Sequence, residues 1–379
     1  MGGGLILVNG QSIQHIFFAG GGTGGHLYPA MAVAERIREQ APHIGMTFFC
    51  SRREVDAKIL APSGFDFLPL PAIGLSKSPI QAVRFFSQFL KSYYFVKEIL
   101  RPEASSALLL GTGGFVCGPA VAAAHALRIP VFLINVDSIP GKSNQLMARY
   151  ARRIFVQFEE TRSCFGRFAD RVEVVGCPLR KTFFVQTEDI CRMYELDPKK
   201  KILLITGASS GSLSINQAVL KILPSLEPFA SEWQIVHLTG TAHWEWVRRQ
   251  AGNPEILYRA VDYCHCMPAL LKASSLAVGR AGAVSVAEYA AAGLPAVCLP
   301  YPYHKDQHQF LNAKPLADAG AAVIVEDNIQ QPSLTQEALL KVLSDLMSHP
   351  ARLEAMAAAA RRYARFDAAE QIVRRLMEL

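Results

Sequence analysis

Short apolar runs alternate with longer stretches of helical periodicity along the first half of the chain. Residues 15–19, 46–50, 107–110 and 131–134 are nearly continuous hydrophobic runs, too short for helices, and read as strands buried on both faces. Residues 30–37, 55–61 and 119–127 lie between and beside them with the patterning of helices. This alternation predicts a parallel sheet with crossover helices. After the run 172–175, Gly176-Cys177-Pro178-Leu179-Arg180 carries the punctuation of a domain exit, and the pattern then restarts. Residues 201–206 predict a strand, 207–212 a turn of small residues and 215–220 a helix. A pattern that occurs twice predicts an α/β chain of two doubly wound Rossmann-like domains facing a cleft, residues 1–178 and 179–363.

Two stretches need separate treatment. Residues 104–127 lack Asp, Glu, Lys and Arg, but the Gly111-Thr112-Gly113-Gly114 turn and Pro119 divide them. A buried strand, a loop and a buried helix fit better than one membrane span. In residues 77–98, Ser78-Pro79 reads as a helix start, and Lys77, Arg84 and Lys91 recur every seven residues. On a helix such positions drift by only about 20° per repeat, so they form one basic stripe. Ile80, Val83, Phe85, Phe86, Phe89, Leu90, Tyr93 and Tyr94 surround it. This helix is expected either to lie on an anionic bilayer, with Ile80, Phe85, Phe86 and Phe89 in contact, or to be domain core.

Composition narrows the choice of partner. The chain has 379 residues, half of them hydrophobic, enough for two cores. Lys plus Arg number 39 against 32 Asp plus Glu, a net charge of +7. That modest excess, with no dense basic block, favours an anionic ligand or an acidic membrane surface and argues against nucleic acid. Eight cysteines are scattered except for Cys264-His265-Cys266; with no second ligand pair at metal spacing, reduced buried thiols are expected. The N-terminus lacks a basic start and a long apolar core, so no signal peptide is expected, and Ile6 argues against myristoylation.

The candidate chemistry sits at the turns. Gly20-Gly21-Gly22-Thr23-Gly24-Gly25 joins the first strand to the first helix and lets backbone N–H groups approach a ligand. It satisfies G-x-G-x-x-G, but Ser51-Arg52-Arg53 stands where a dinucleotide fold needs its ribose carboxylate, so a dehydrogenase is disfavoured. His26 follows at the positive end of the helix, which disfavours a cationic imidazole and makes it a candidate proton acceptor. In the second half, Glu288 interrupts an Ala-rich helix, three residues after Ser285 and downstream of Arg280. A carboxylate there can accept two hydrogen bonds from a ribose diol. Residues 301–313 gather polar side chains in a strand-exit loop suited to reading sugar hydroxyls.

These motifs, in this order, resemble the MurG-type N-acetylglucosaminyltransferases. The carriers are residues 21–26, 113–119, 175–180, 207–211, Arg280-Ala281-Gly282-Ala283, 288–295, Asp306-Gln307-His308-Gln309 and Asn312-Ala313. The resemblance implies a GT-B fold in which residues 364–379 pack back onto the first domain. It implies a peripheral enzyme at the cytoplasmic membrane face, without cofactor or metal. That enzyme moves N-acetylglucosamine from UDP-N-acetylglucosamine to the 4-hydroxyl of the muramyl sugar of undecaprenyl-linked lipid I, giving lipid II for peptidoglycan. His26, helped by Asp137, would take the acceptor proton in a single inverting displacement. Thr23, Gly24, Gly25, Arg180, Ser209, Ser210, Cys264, Arg280, Gly282, Ala283, Glu288, His308 and Gln309 would hold the donor. Gly113, Gly114 and Asn144 would hold the acceptor. The chain departs from the family at Ile134-Asn135-Val136-Asp137, where His-Glu-Gln-Asn is usual, and at Cys177, Ala208 and Ser210. A transferase with another lipid acceptor, or a non-catalytic nucleotide-sugar-binding protein, are the alternatives these departures keep open.

Overall fold

The apolar runs do become strands, buried on both faces by the helices that connect them. A computed structural model describes residues 7–8, 11–74, 79–185, 188–207, 211–303 and 306–378. The chain divides into two units, Met1–Lys181 with Phe366–Leu379, and Thr182–Arg365.

In the first unit a seven-stranded sheet contains β1 (His15–Ala19), β2 (Gly45–Ser51), β3 (Asp66–Leu70), β4 (Ala107–Gly111), β5 (Val131–Asn135), β6 (Ala151–Val156) and β7 (Val172–Val174). All its pairs are parallel and the order is β3-β2-β1-β4-β5-β6-β7. Every residue of β4 and β5 is buried, as expected where helices cover both faces. Phe17, Phe49, Leu109 and Leu133 pack with Val96, Val116 and Val121 in one core cluster. The order reverses between β1 and β4, which puts the two glycine turns, after Ala19 and after Gly111, together at the switch point. The helices that matter here are α1 (Gly24–Gln40), α2 (Glu54–Leu60), α3 (Pro79–Leu100) and α4 (Gly114–Ala126). Helix α1 starts inside the glycine run, so His26 lies in its first turn.

The second unit repeats the plan with six parallel strands: β8 (Lys201–Thr206), β9 (Trp233–Leu238), β10 (Tyr258–Val261), β11 (Leu276–Gly279), β12 (Ala296–Cys298) and β13 (Ala322–Ile324). Their order, β10-β9-β8-β11-β12-β13, matches the first six strands of the other sheet. Leu203, Ile205, Trp233, Val278 and Val297 form the centre of its core. Its relevant helices are α5 (Leu213–Ile222), α6 (Met267–Ala273), α7 (Ala283–Ala292) and α8 (His308–Asp318). The C-terminal helix, Ala368–Met377, returns to the first unit, burying Ile372, Val373 and Leu376. Glu370 pairs with Arg36 of α1 at 3.0 Å, and Arg375 with Glu173 at 2.8 Å.

Helix α3 has one exposed face and one packed face. Ile80, Val83, Phe86, Leu90 and Tyr94 recur every three or four residues and are more than half exposed, from 52% at Leu90 to 82% at Ile80. Phe85 and Phe89 are half-buried, their rings 6.1 Å apart, and Phe89 lies where a Cβ on Gly118 of α4 would touch it. Of the three rings expected at the bilayer, Phe89 therefore turns towards α4 and Phe85 is half-buried beside it, while Phe86 shares the outward face with Val83, Leu90 and Tyr94. Lys77 and Ser78 lie outside the described residues. Among the described residues, no helix is long and apolar enough to cross a membrane.

Candidate active site

The first glycine turn is held by a carboxylate that no sequence motif marks. Gly22 has φ +88°, a conformation that glycine adopts without strain, and its N–H donates to both carboxylate oxygens of Asp56 at 2.9 Å. Asp56 is fully buried in α2, where it also accepts the Ser51 N–H at 2.8 Å and the Ser51 hydroxyl at 2.7 Å. Arg53 closes the other side by donating to the Gly22 carbonyl at 3.0 Å. A Cβ on Gly21 would collide with the Asp56 carboxylate.

That turn and the second one meet around the imidazole. A Cβ on Gly114 would stand 2.8 Å from the Gly21 carbonyl oxygen and 3.4 Å from His26 Nδ1. A Cβ on Gly113 would stand 3.3 Å from the Asn144 amide and 3.4 Å from His26 Cδ2. His26 Nδ1 lies 3.2 Å from the Gly21 carbonyl oxygen and 3.3 Å from Thr23 Oγ1. A carbonyl can only accept, so Nδ1 carries the hydrogen, and in the neutral ring Nε2 is left as the proton acceptor.

A small cavity of about 40 Å³ opens beside the ring, lined by His26, Thr112, Gly113, Gly114, Asp137 and Asn144 among others. The structure thus brings the named base and acceptor residues to one place. The Asn144 amide donates to the Ile134 carbonyl at 3.2 Å and to Asn135 Oδ1 at 3.1 Å, and Asn135 donates to the Asp137 carbonyl at 2.6 Å. The altered segment 134–137 is therefore knitted into the site wall. Two atoms in that wall, Thr112 Oγ1 and Asn144 Oδ1, are buried with no hydrogen-bond partner. Buried polar atoms are rarely left unpaired, which sets this wall apart.

In the second unit the corresponding place after β11 is closed by an ion pair. Arg280, 6% exposed, lies 2.7 Å from Asp327, and its Nη2 donates to the hydroxyls of Ser212 at 2.7 Å and Ser214 at 2.8 Å. Its Nη1 also donates to the Leu299 carbonyl at 2.9 Å, and Ser214 donates to Asp327 at 2.7 Å. The guanidinium expected beside a pyrophosphate is committed inside the fold, where it ties the start of α5 to the exit of β12. Asp327 stands far along the chain and carried no motif. Ser209 and Ser210 lie outside the described residues.

Around this pair, Gly282 caps the N-terminus of α7 and Ala283 is its first residue, while Ser285 and Glu288 are half-buried one turn on. Asn312 of α8 donates to the Ala281 carbonyl at 3.3 Å, fixing α8 against this turn. Gln309 accepts the Tyr301 N–H at 2.9 Å, and His308 Nδ1 lies 2.9 Å from Asp306 Oδ1. Gln307, just before α8, is held at φ +48°, a costly conformation for a residue other than glycine. Cys264 is buried, and burial pushes its thiol up to about 11. In the first unit, Arg180 stacks over Tyr28 of α1 at 4.0 Å, and Lys181 pairs with Glu39 at 2.5 Å. Thr23 and Gly25 are exposed and Gly24 half-exposed beside the base.

Two parallel sheets of matching strand order form the paired Rossmann-like domains of a GT-B fold, and it is the family matches that make the chain a glycosyltransferase. Residues 16–156 match the N-terminal domain of glycosyltransferase family 28, and residues 202–372 match its C-terminal domain. A protein of Halalkalibacterium halodurans is 34% identical over 362 residues, covering 94% of this chain and 97% of that protein. It is named UDP-N-acetylglucosamine--N-acetylmuramyl-(pentapeptide) pyrophosphoryl-undecaprenol N-acetylglucosamine transferase. A protein of the same name from Geobacter metallireducens is 34% identical over 365 residues, covering 96% of this chain and 98% of that one. The crystal structure of Acinetobacter baumannii MurG superposes with a TM-score of 0.73 at 24% identity, covering 97% of this chain and all of that one. The chain belongs to glycosyltransferase family 28 and, within it, to the family of these N-acetylglucosamine transferases.

Proposed function

We propose that this chain transfers N-acetylglucosamine from UDP to the 4-hydroxyl of the N-acetylmuramyl-pentapeptide carried on pyrophosphoryl-undecaprenol, the product being lipid II. The observation that carries this reading is His26: Nδ1 is tied to the Gly21 carbonyl, which leaves Nε2 to take a proton beside a cavity with two unpaired polar atoms. In the reaction the acceptor hydroxyl attacks the anomeric carbon, its proton passes to Nε2, and the bond from that carbon to UDP breaks with inversion. A base so placed contributes about 10² to 10⁴-fold. Asp137 lines the same cavity and supports the imidazolium as it forms. Thr112, Gly113, Gly114 and Asn144 hold the acceptor sugar.

The second unit holds the donor. The N–H groups of Gly282 and Ala283 at the start of α7 stabilise charge on the departing diphosphate. Glu288 binds the ribose hydroxyls, backbone near Cys264 reads the base, and His308 with Gln309 reads the sugar. Arg280 positions this apparatus through Asp327, Ser212 and Ser214. The direct test supplies the enzyme with UDP-N-acetylglucosamine and a short-chain lipid I analogue and analyses the lipid by mass spectrometry. Addition of one N-acetylhexosamine is expected; an unchanged analogue would overturn the proposal.

The enzyme works as a peripheral protein at the cytoplasmic membrane face. The outward stripe of α3 supports this, being apolar at Ile80, Val83, Phe86 and Leu90 and flanked by exposed Arg84 and Lys91. Phe86→Ser with Leu90→Ser is expected to abolish sedimentation with anionic liposomes while leaving the melting temperature unchanged. Phe89→Ser should instead lower stability. Undiminished sedimentation of the double variant would remove the stripe from membrane binding.

A further inference from the structure

Three sulfur atoms from two segments meet in the second unit. Cys264 and Cys266, in the loop before α6, are buried, and their Sγ atoms lie 3.7 Å apart. Cys266 Sγ lies 3.4 Å from Sδ of Met193, a residue of the short helix Ile190–Met193 that is 50% exposed. The Tyr194 hydroxyl lies within hydrogen-bond reach of both thiols. Among the described residues no group of three or more His, Cys, Asp and Glu side chains is arranged to hold a metal ion, so the thioether is what distinguishes this cluster.

The spacing is that of a ligand set. Two sulfurs each about 2.3 Å from one tetrahedrally coordinated ion stand about 3.8 Å apart, which the 3.7 Å between Cys264 and Cys266 matches, while the 3.4 Å to Met193 must widen on binding. A thioether is a poor ligand for hard ions, whereas thiolate and thioether together select Cu(I). The half-exposed Met193 provides an entry path, and Tyr194 orients one first ligand. We infer that Cys264, Cys266 and Met193 form a binding site for a soft monovalent metal ion of the Cu(I) type. Binding replaces two S–H bonds with two Cu–S bonds and releases two protons to solvent. The ion stays Cu(I), and no oxidant is consumed.

The assignment is tested by metal binding, without a transfer assay. Exposed Cys164 and half-buried Cys191 could also take soft metal, so the full-length chain carries Cys164→Ser and Cys191→Ser as background. Cu(I) is supplied anaerobically against bathocuproine disulfonate, a chelator that an isolated thiol cannot match. One Cu(I) per chain is expected to survive desalting, with a thiolate-to-copper absorption band. Cys264→Ser and Cys266→Ser should each lose it. Met193→Leu, at a surface position that tolerates the change, should weaken binding roughly tenfold while the melt stays unaltered. Failure to retain Cu(I) would overturn the site. So would retention undiminished by Cys266→Ser, and equal affinity in Met193→Leu would remove the third sulfur. Should the cysteine variants fold poorly, Met193→Leu decides the question.

Discussion

The two units solve the same local problem, a strand followed by a turn and a helix, in opposite ways. In the first, the buried Asp56 takes up the N–H groups of Gly22 and Ser51, and the turn delivers His26 to a wall in which Thr112 Oγ1 and Asn144 Oδ1 are unpaired. In the second, Arg280 and Asp327 consume each other and the Ser212 and Ser214 hydroxyls beside the start of α7 at Gly282 and Ala283. The difference teaches a division of labour. On the proposed assignment, the unit that does chemistry keeps side-chain atoms unpaired in the wall beside His26, while the unit proposed to hold the donor uses side chains as internal struts.

Removing the base should separate the two units most sharply. His26→Ala is expected to lower transfer by about 10² to 10⁴-fold while UDP-N-acetylglucosamine binding, followed by calorimetry, stays near normal. Parallel loss of donor binding would blur the division.

Breaking the strut comes next in size. Arg280→Met leaves Asp327 buried and uncompensated, a change that costs about 3–5 kcal/mol, and replacing Asp327 with Leu as well should restore much of it. All three tryptophans, Trp233, Trp244 and Trp246, lie in the second unit, so urea titration followed by tryptophan fluorescence reads its stability directly. An unshifted midpoint for Arg280→Met would mean that the pair holds nothing together.

Asp56→Asn is smaller and sharpens the comparison from the other side. It sets an amide against the buried N–H donors of Gly22 and Ser51, at about 1–3 kcal/mol. The account expects kcat to fall with the donor KM unchanged, since only the turn carrying His26 moves. A raised donor KM would assign Asp56 to the donor instead.

Acid should weaken the second unit by a gradual route. The His237 ring is fully buried, with the Tyr258 hydroxyl 2.6 Å from Nδ1 and Asn216 Oδ1 3.0 Å from Nε2, and burial pushes its pKa from 6.5 down to about 3. The unfolded chain binds this proton first, so its contribution is present above pH 6.5 and is lost as pH falls towards 3. Tryptophan-detected midpoints should drop across that window, and His237→Gln should flatten the drop. An identical slope in the variant would exclude His237 as its source.

Much of this architecture was legible in the chain. Strands β4 and β5 announce themselves as unbroken apolar runs because helices cover both their faces, and the glycine turns mark the switch point. What stayed hidden depends on partners distant in sequence. Ser51-Arg52-Arg53 offers no ribose carboxylate, and the nearby carboxylate of Asp56 turns inward to the backbone. Arg280 looked like a phosphate ligand because nothing in sequence couples it to Asp327. On α3 the aromatic excess was plain, but only the packing of Phe89 towards Gly118 shows which rings face the protein.

Acceptor-dependent release of UDP tests the central claim most directly. UDP is followed continuously in UDP-N-acetylglucosamine alone and again with a short-chain lipid I analogue. The account predicts release that rises with the analogue and collapses in His26→Ala. Release at the same rate with and without the analogue, or donor binding with no release in either case, would contradict it.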